Sequence, residues 1–514
     1  MEHRQKRQRD EDSDTGDSRR VLGSLSREIS PPRKRKREAR VVASPWQLTW
    51  IRDLPESLNK DAVTLKDLLG DPLVCECWEF NYLHDIPFLM DAFDSDTRHL
   101  VKVHVVHGFW KQEDPNRQML MQEASQFGNV ELHTAFMPEM FGTHHSKMMV
   151  LFRHDDTAQV IIHTANMIAK DWTNMTNAVW KSPRLPLGPK AADESAASPD
   201  QFPVGTGERF KADLLSYLRF YDRRKITCQP LVKELSKYDF SGVRGALIAS
   251  VPGRHEANDV SQTLWGWSAL KRALGQVPCS DGEAEVVVQI SSIATLGAKD
   301  DWLQKTLFDA LSKSHNANAK RPKFKVVFPT ADEIRRCLDG YTAGGSIHTR
   351  IQSQQQANQL QYLRPMLHHW ANDSPGGRAL PDDGEKADGG RARAAPHIKT
   401  YVRYDNKGSI DWAMLTSANL SKQAWGEAVR STGEVRISSW EIGVLVWPEM
   451  MEKGSVMVPG FQSDTPEGDT GRAVVGVRIP YNVPLQQYGS NEVPWVASMA
   501  HGEPDRFGRV WAGY

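Results

Sequence analysis

Cysteine is scarce in this 514-residue chain. The five cysteines are Cys75, Cys77, Cys228, Cys279 and Cys337. They are too few and too scattered for a disulfide framework, and the C-x-C spacing of the first two lacks the second pair that a zinc site would need. We therefore expect reduced, structural cysteines in a cytosolic or nuclear protein. The sequence also has no convincing cluster of metal ligands and no Walker A phosphate loop, so we expect no bound metal or other cofactor.

Long apolar runs are also missing. No stretch of about 18 uncharged apolar residues occurs, so we expect no transmembrane helix. The N-terminus is polar and charged where a signal peptide would need an apolar core, so we do not expect secretion. With 39% hydrophobic and 25% charged residues, a collagen-like, coiled-coil or wholly disordered protein is excluded. The length indicates two large domains or three ordinary ones.

The chain has no net charge, but its charges are unevenly distributed. Residues 1–40 hold 13 Lys/Arg and 8 Asp/Glu, so that 51 basic and 56 acidic residues remain of the 64 of each. Residues 1–41 are predicted to be a disordered basic tail. Its dense block Pro31–Arg37 indicates a nuclear import signal or a loose nucleic-acid arm, or else a solvated charge run. We expect a nuclear protein whose folded part binds nucleic acid, if at all, through a local basic cluster.

Helix-like and strand-like stretches alternate after the tail, which predicts an α/β architecture with large sheets. The strand candidates are Val101–Phe109, Gln159–His163, Glu285–Ile290, Phe324–Phe328, His397–Tyr404 and Trp440–Trp447, and the helix candidates include Phe210–Phe220 and Asp301–Ser314. Loop-like composition marks Pro183–Gly207, Asp373–Pro396 and Asp464–Arg472. A turn signal at Val251-Pro252-Gly253 suggests two domains, residues 42–251 and 252–514.

One short pattern occurs once in each half of the chain. The first copy contains His145, Lys147, Asn166 and Trp172, and the second contains His397, Lys399, Asn419 and Trp425. The spacing from His to Lys is two residues in both copies, from His to Asn 21 and 22 residues, and from Asn to Trp six residues in both. A repeat with so long a period indicates a duplicated domain.

The chemistry of this repeat suits a phosphate. If H-x-K lies on a strand, its histidine and lysine project from the same face. An imidazole and an ammonium group on one face favour an anion. Each asparagine is expected just before a helix, where an anion is also favoured. Two such halves facing each other would bring two His, two Lys and two Asn to one phosphate.

These residues identify the chain as similar to the phospholipase D superfamily and, within it, to the eukaryotic tyrosyl-DNA phosphodiesterase family. The stretches that carry the resemblance are Gly142–Met149, Ile162–Asn166, Ala169–Trp172, His397–Tyr401, Thr416–Lys422 and Trp440–Leu445. The broader superfamily has an aspartate five residues after each lysine, where this chain has Phe152 and Tyr404. That difference is typical of the tyrosyl-DNA branch.

The resemblance implies two similar phospholipase D-like domains, each a mixed β-sheet flanked by helices, related by a pseudo-twofold axis with the active site between them. It implies metal-independent hydrolysis of a 3′-phosphotyrosyl bond between DNA and a stalled type IB topoisomerase, at a single-stranded or double-stranded end. The partner is DNA with a 3′-linked tyrosine or topoisomerase-derived peptide, with no membrane involved, and we expect a monomer.

The resemblance also assigns roles. His145 is expected to be the nucleophile and His397 the general acid and base, while Lys147, Lys399, Asn166 and Asn419 hold the phosphate oxygens. Glu441 is expected to orient His145. Asn177 stands where the family has a glutamine that supports His397, and its shorter side chain puts its reach in question. The residues expected to contact substrate, besides the lysines, fall into two groups. Ser291, Ser292, Thr295, Ser421 and the base-stacking Phe141 are expected on the DNA side, and Tyr82 and Trp495 are expected to line the peptide side.

Two other functions remain open from the sequence. One is a phospholipid phosphodiesterase or transferase of the same superfamily, and the other is a DNA-end-binding protein without catalysis. The symmetric spacing of the two copies does not show which histidine is the nucleophile. The sequence also leaves open whether other 3′ adducts, RNA ends or 5′ ends are processed.

Overall fold

The computed structural model describes residues 40–188, 199–380, 386–466 and 471–513. The predicted tail lies outside these ranges except for its last two residues, as do residues 189–198, 381–385 and 467–470 of the three loop-like segments. The described residues contain 22 strands: β1 Val41–Val42, β2 Trp46–Leu48, β3 Val74–Phe80, β4 Lys102–His107, β5 Val130–Thr134, β6 Met148–Arg153, β7 Thr157–His163, β8 Met175–Thr176, β9 Ala178–Lys181, β10 Leu185–Pro186, β11 Ala246–Ser250, β12 Gly253–Glu256, β13 Ala284–Gln289, β14 Lys323–Val327, β15 Leu367–His368, β16 Ala395–Pro396, β17 Thr400–Asp405, β18 Ile410–Thr416, β19 Glu434–Ile437, β20 Glu441–Val446, β21 Val456–Gly460 and β22 Val474–Arg478.

In the same ranges there are eleven α-helices: α1 Leu65–Leu69, α2 Ile86–Asp91, α3 Pro115–Ala124, α4 Gly207–Arg219, α5 Gln229–Leu235, α6 Gly266–Leu274, α7 Phe308–Leu311, α8 Ala331–Arg335, α9 Gln354–Leu363, α10 Lys422–Trp425 and α11 Pro448–Met451. All six predicted strand regions contain a strand. The predicted helix Phe210–Phe220 corresponds to α4. The predicted helix Asp301–Ser314 is a π-helical turn, Leu303–Leu307, that continues into α7.

The two large sheets repeat one topology. The smaller sheet has the order β2-β9-β7-β6-β3-β4-β5, with β10 added on β7. The larger sheet contains β11-β20-β18-β17-β13-β14-β15 and extends from β18 through β21, β22 and β1. In both paths the last two pairings are parallel and the others antiparallel. This shared path confirms the duplicated domain that the repeat predicts and the mixed sheets that the resemblance implies.

One strand, β11, lies on the other side of the domain boundary from where the sequence predicted it. Strand β11 pairs with β20 in the larger sheet, just as β2 pairs with β9 in the smaller one. The second copy of the topology therefore begins at Ala246. The turn signal at Val251–Gly253 follows this strand and does not precede it, so Ala246–Ser250 belongs with the second sheet.

Helix α4 shows how the sequence builds the layer between the sheets. Thr206 caps its N-terminus, since its hydroxyl accepts a hydrogen bond from the backbone N–H of Arg209 at 3.2 Å. Phe210, Leu214 and Leu218 then recur every four residues and form one buried apolar face. This face belongs to an apolar core that includes residues of both sheets, and the Phe210 ring lies 5.3 Å from that of Trp180.

The helices of the described part are short, and none has the length and apolar character needed to cross a bilayer. The five cysteines are free, and four of them are buried.

Candidate active site

Both H-x-K segments lie just before a strand, since β6 begins at Met148 and β17 at Thr400. This corrects the expectation that they lie within strands. The reason is that their backbone bonds to the opposite half of the protein. The N–H of His145 donates to the carbonyl of Trp440 at 3.0 Å, and the N–H of His397 donates to the carbonyl of Thr176 at 3.0 Å.

These contacts bring a polar side chain to each imidazole. Glu441 and Asn177 directly follow the two carbonyls that accept these bonds. The Glu441 Oε2 atom lies 2.9 Å from His145 Nδ1, and the Asn177 Oδ1 atom lies 3.1 Å from His397 Nδ1. The short amide of Asn177 therefore reaches the ring. In both histidines the Nδ1 atom is engaged, which leaves Nε2 for chemistry.

Equivalent hydroxyl groups hold the two polar side chains. Ser417, two residues before Asn419, donates to Glu441 Oε2 at 2.5 Å. Thr164, two residues before Asn166, donates to Asn177 Oδ1 at 2.9 Å. Because these oxygens are fixed, each imidazole has a defined orientation.

Asp171 is a site residue that sequence reasoning missed. It is fully buried, and its Oδ2 atom lies 3.2 Å from His397 Nδ1. The same oxygen accepts hydrogen bonds from the backbone N–H of Asn166 at 2.7 Å and from its side-chain Nδ2 at 2.9 Å. The sequence carried one signal for it. Asp171 directly precedes Trp172 of the repeat, whereas Ala424 precedes the matching Trp425, so the two copies differ at this position.

The two lysines are fully buried. The Nζ atom of Lys147 donates to the carbonyl of His145 at 3.0 Å, and Lys399 donates in the same way to the carbonyl of His397. Burial lowers the pKa of Lys147 to about 8, against the opposite effect of Glu441 and Asp171. The pKa of Lys399 lies well below its usual value because of burial and then because of Lys147. The two ammonium groups are thus shielded from solvent and repel each other, so an anion between them would be strongly stabilised.

The histidines respond to the same field. Burial lowers the pKa of His145 to about 4, while Glu441 acts in the opposite direction. The pKa of His397 lies well below its usual value, first because of burial and then because of Lys399, Lys147 and His145. For Glu441, burial raises the pKa, but His145 and the Ser417 hydroxyl outweigh it and keep the carboxyl below its ordinary value. The adjacent His144 is buried and bonds to the Asn81 carbonyl and the Tyr221 hydroxyl, which makes it structural.

The asparagines are held by the repeat's tryptophans. The indole N–H of Trp172 donates to the carbonyl of Asn166, and that of Trp425 to the carbonyl of Asn419, both at 3.0 Å. This explains the identical six-residue spacing. The Asn419 Oδ1 atom accepts from the N–H groups of residues 291 and 292 at 3.0 and 2.9 Å, which leaves its Nδ2 for a ligand oxygen.

The predicted DNA-side residues lie on a loop next to Asn419. Ser291 is buried and its hydroxyl also donates to Asn419 Oδ1, so it supports the amide and does not face the surface. Ser292 is half-buried and Thr295 is exposed. Ser421 is half-buried and caps α10, accepting from the backbone N–H groups of residues 423 and 424.

The predicted aromatic contacts differ in exposure. Phe141 is 78% exposed and lies four residues before His145. Tyr82 is also exposed, and its ring centre lies 5.9 Å from that of His145. Trp495, in contrast, is 0% exposed, and its indole donates to the carbonyls of residues 344 and 347. This corrects the expectation that Trp495 lines the peptide side, because a side chain so enclosed presents no surface to a substrate.

Two imidazoles whose Nε2 atoms bond to none of the described residues, two buried ammonium groups and two amides form one site built from both halves. Such a site can hold an anionic centre, attack it with one imidazole and protonate a leaving group with the other.

Comparison with known proteins shows which family the chain is similar to. The sequence model of the family described as tyrosyl-DNA phosphodiesterase matches residues 45–489. A probable tyrosyl-DNA phosphodiesterase of Schizosaccharomyces pombe is 31% identical, over 94% of this chain and 99% of its own length. Tyrosyl-DNA phosphodiesterase 1 of Arabidopsis thaliana is 28% identical, over 94% of this chain and 78% of its own.

The crystal structure of the yeast tyrosyl-DNA phosphodiesterase has the same fold. It superposes with a TM-score of 0.61 at 19% sequence identity, covering 88% of this chain and 99% of the yeast chain. The family match covers most of the chain, and both halves of the catalytic repeat lie within it. The chain therefore belongs to the tyrosyl-DNA phosphodiesterase family.

Proposed function

We propose that this protein hydrolyses the phosphodiester bond between a tyrosine and the 3′ end of DNA, as left by a stalled type IB topoisomerase, and releases a DNA 3′-phosphate. The observation that carries the proposal is the convergence of His145, Lys147, His397 and Lys399 on one buried site with both Nε2 atoms free. Family membership supplies the substrate class. We further propose that the enzyme acts as a nuclear monomer on single-stranded or double-stranded ends.

The first step forms a covalent phosphohistidine. The Nε2 atom of His145 attacks phosphorus while the bond from phosphorus to the tyrosine oxygen breaks, and His397 gives its Nε2 proton to that oxygen. Glu441 supports this assignment, because a carboxylate 2.9 Å from Nδ1 stabilises the positive charge that develops on the attacking ring. The low pKa of His145 keeps that ring neutral, which a nucleophile requires.

In the second step His397 takes a proton from a water molecule, which attacks phosphorus as the bond to His145 Nε2 breaks. His397 must therefore alternate between charged and neutral forms. The bound phosphate adds a negative charge between the lysines, and Asp171 lies 3.2 Å from Nδ1, so both favour the charged form when substrate is present.

The phosphate oxygens are held by Lys147, Lys399, Asn166 and Asn419, which supply positive charge and hydrogen-bond donors to the pentavalent state. These groups serve the purpose that divalent cations serve in many phosphoryl-transfer enzymes. For this reason we propose that turnover needs no metal.

The decisive assay uses a 5′-labelled single strand that ends in 3′-phosphotyrosine, incubated with the protein in excess EDTA. We expect the labelled strand to be converted to a product with the mobility of the 3′-phosphate strand. The double variant His145→Ala/His397→Ala should give no such product. A bound but unprocessed strand would instead support a DNA-end-binding protein. Neither binding nor processing, with turnover of a phospholipid, would support the lipid-directed alternative.

A further inference from the structure

A cluster of metal-binding side chains lies away from the active site, on the sheet of the first half. His104 is on strand β4, and Glu131 and His133 are on the neighbouring strand β5. His104 is paired with Glu131 across the two parallel strands, and Glu131 and His133 are two residues apart, so all three project from one face. Sequence analysis predicted no metal site because β4 and β5 are separated along the chain by helix α3.

The spacing of the donor atoms fits a small divalent cation. The His104 Nδ1 atom lies 2.9 Å from His133 Nε2. The Glu131 carboxylate oxygens lie 3.5 Å from His104 Nδ1 and 3.7 Å from His133 Nε2. A tetrahedral zinc ion with bonds of about 2.0–2.1 Å has ligand atoms about 3.3 Å apart. The two carboxylate distances come from different oxygens, Oε2 to His104 and Oε1 to His133, and one donor atom from each of the three residues lies within 4.8 Å of the others. A small movement of the exposed Glu131 side chain would therefore complete one triangular face of such a tetrahedron.

A second carboxylate supports His104 from behind. The Glu76 Oε1 atom faces His104 Nε2 at 3.5 Å, and the indole N–H of Trp78 fixes that oxygen by donating to it at 2.6 Å. The Nε2 atom of His104 is buried and has no hydrogen-bond partner. The Trp78 ring also stacks on His104 with centres 3.9 Å apart, which holds the imidazole plane. A metal-bound histidine whose other nitrogen faces a carboxylate is a recurrent arrangement in zinc sites.

The second half of the protein shows what this place looks like without such a cluster. By the shared topology, Glu285 and Lys325 occupy the positions of Glu76 and His104, and they form an ion pair at 2.6 Å. An ordinary ion pair is thus sufficient for the fold. The first half has an imidazole there, with two further ligands beside it on β5.

We propose that His104 Nδ1, His133 Nε2 and one carboxylate oxygen of Glu131 bind a zinc-class divalent cation, with water in the fourth position. Each imidazole keeps one proton, and that of His104 then sits on Nε2 towards Glu76. Glu131 and His133 are partly exposed, so the ion can enter from solvent, and exposed Lys102 and Lys225 are the nearby cations that oppose it. The ion ties β4 to β5, the strand from which the chain runs on to His145.

The test titrates Zn²⁺, and Co²⁺ as a coloured probe, into the full chain after EDTA treatment and dialysis. We expect one equivalent to bind, with the intense visible absorption of four-coordinate Co²⁺. Binding should be lost in His133→Ala and Glu131→Gln, and weakened about 10–100-fold in Glu76→Gln, which removes a supporting carboxylate and no ligand. The matched control His315→Ala removes an exposed histidine outside the cluster and should leave binding unchanged.

A thermal readout makes the test independent of catalysis. Because the ion binds the folded chain, saturating Zn²⁺ should raise the melting temperature of the unaltered protein by about 2 °C or more, and that of His133→Ala by much less. Stoichiometric binding that is equal in His133→Ala and Glu131→Gln, or no stoichiometric binding at all, would overturn the proposal. Either result leaves the EDTA-resistant 3′-phosphotyrosine assay unaffected, so the two proposals fail separately.

Discussion

The two halves of the site have the same framework and different electrostatics. In each half a histidine N–H bonds to the opposite half, a hydroxyl holds the polar group at its Nδ1, and a tryptophan holds an asparagine. The polar group is a carboxylate at His145, Glu441, and an amide at His397, Asn177. Asp171 adds a carboxylate beside His397 that the other copy lacks. The two halves thus share one framework, while the groups at Nδ1 are unequal. In the proposed mechanism this difference assigns the two rings different tasks.

The largest expected effect comes from breaking the pair of histidines. His145→Ala should lower kcat by on the order of 10⁴–10⁶-fold and give no covalent enzyme–DNA adduct, since it removes the nucleophile. His397→Ala should let the adduct accumulate when the leaving group is a good one, because only the second step then lacks its base. Denaturing gels of labelled DNA measure this directly. Equal amounts of adduct in the two variants would contradict the assignment.

The lysines test whether the hold on phosphate is truly symmetric. Lys147→Met and Lys399→Met should each lower kcat by about 10²–10³-fold, because each removes a buried positive group from the pentavalent state. Single-turnover kinetics would measure the effect, with Lys320→Met on the surface as the control. A variant of either lysine with full activity would show that only one half holds the phosphate.

The carboxylates should shift opposite limbs of the pH profile of the single-turnover cleavage rate with saturating enzyme, which reports the pKa values of the enzyme–substrate complex. His145 acts as the neutral ring, so activity falls on the acid side below its pKa; Glu441→Gln removes a group that raises this pKa and should move the acid limb to lower pH. His397 acts first as the charged ring, so activity falls on the basic side; Asp171→Asn removes a neighbouring negative charge and should move the basic limb to lower pH. Each shift should be about one pH unit or more. Movement of the basic limb by Glu441→Gln would exchange the roles of the histidines.

The smallest effect concerns the tryptophans of the repeat. Trp172→Phe and Trp425→Phe should each lower the free energy of unfolding by about 1–3 kcal/mol, because each leaves a buried asparagine carbonyl without its donor. Urea denaturation measures the loss. The exposed Trp110→Phe should change stability by less than about 0.5 kcal/mol. Unequal losses at the two repeat positions would show that the copies differ in this framework too.

Much of this arrangement was predictable because it repeats. The matched spacings of His, Lys, Asn and Trp predicted both the duplicated sheets and the convergence of the catalytic groups. The resemblance added Glu441 and Asn177, which a spacing alone does not single out. It also named Tyr82 as a substrate contact, and the ring of Tyr82 lies beside that of His145.

Other features depend on contacts that one sequence does not contain. Asp171 is an unremarkable acid before a tryptophan until the fold places it at His397. The sequence alone does not show whether Trp495 lies at the surface or in the core. In the fold it lies in the core, where its indole N–H bonds to the carbonyls of residues 344 and 347. The H-x-K segments precede their strands because their N–H groups bond across the molecule. His104, Glu131 and His133 meet only through the pairing of parallel strands.

The crossed backbone bonds have one further consequence. The N–H of His145 bonds to the residue directly before Glu441, and the N–H of His397 bonds to the residue directly before Asn177, so each half supplies the other with its orienting group. This reciprocity is the mark of an isologous contact, as between the subunits of a twofold dimer, here enclosed in a single chain. Gly142 lies at the same junction, where even a β-carbon would come within 1.8 Å of the Ser438 carbonyl. The two halves therefore fit together like paired subunits within one chain, and neither would keep the complete site alone.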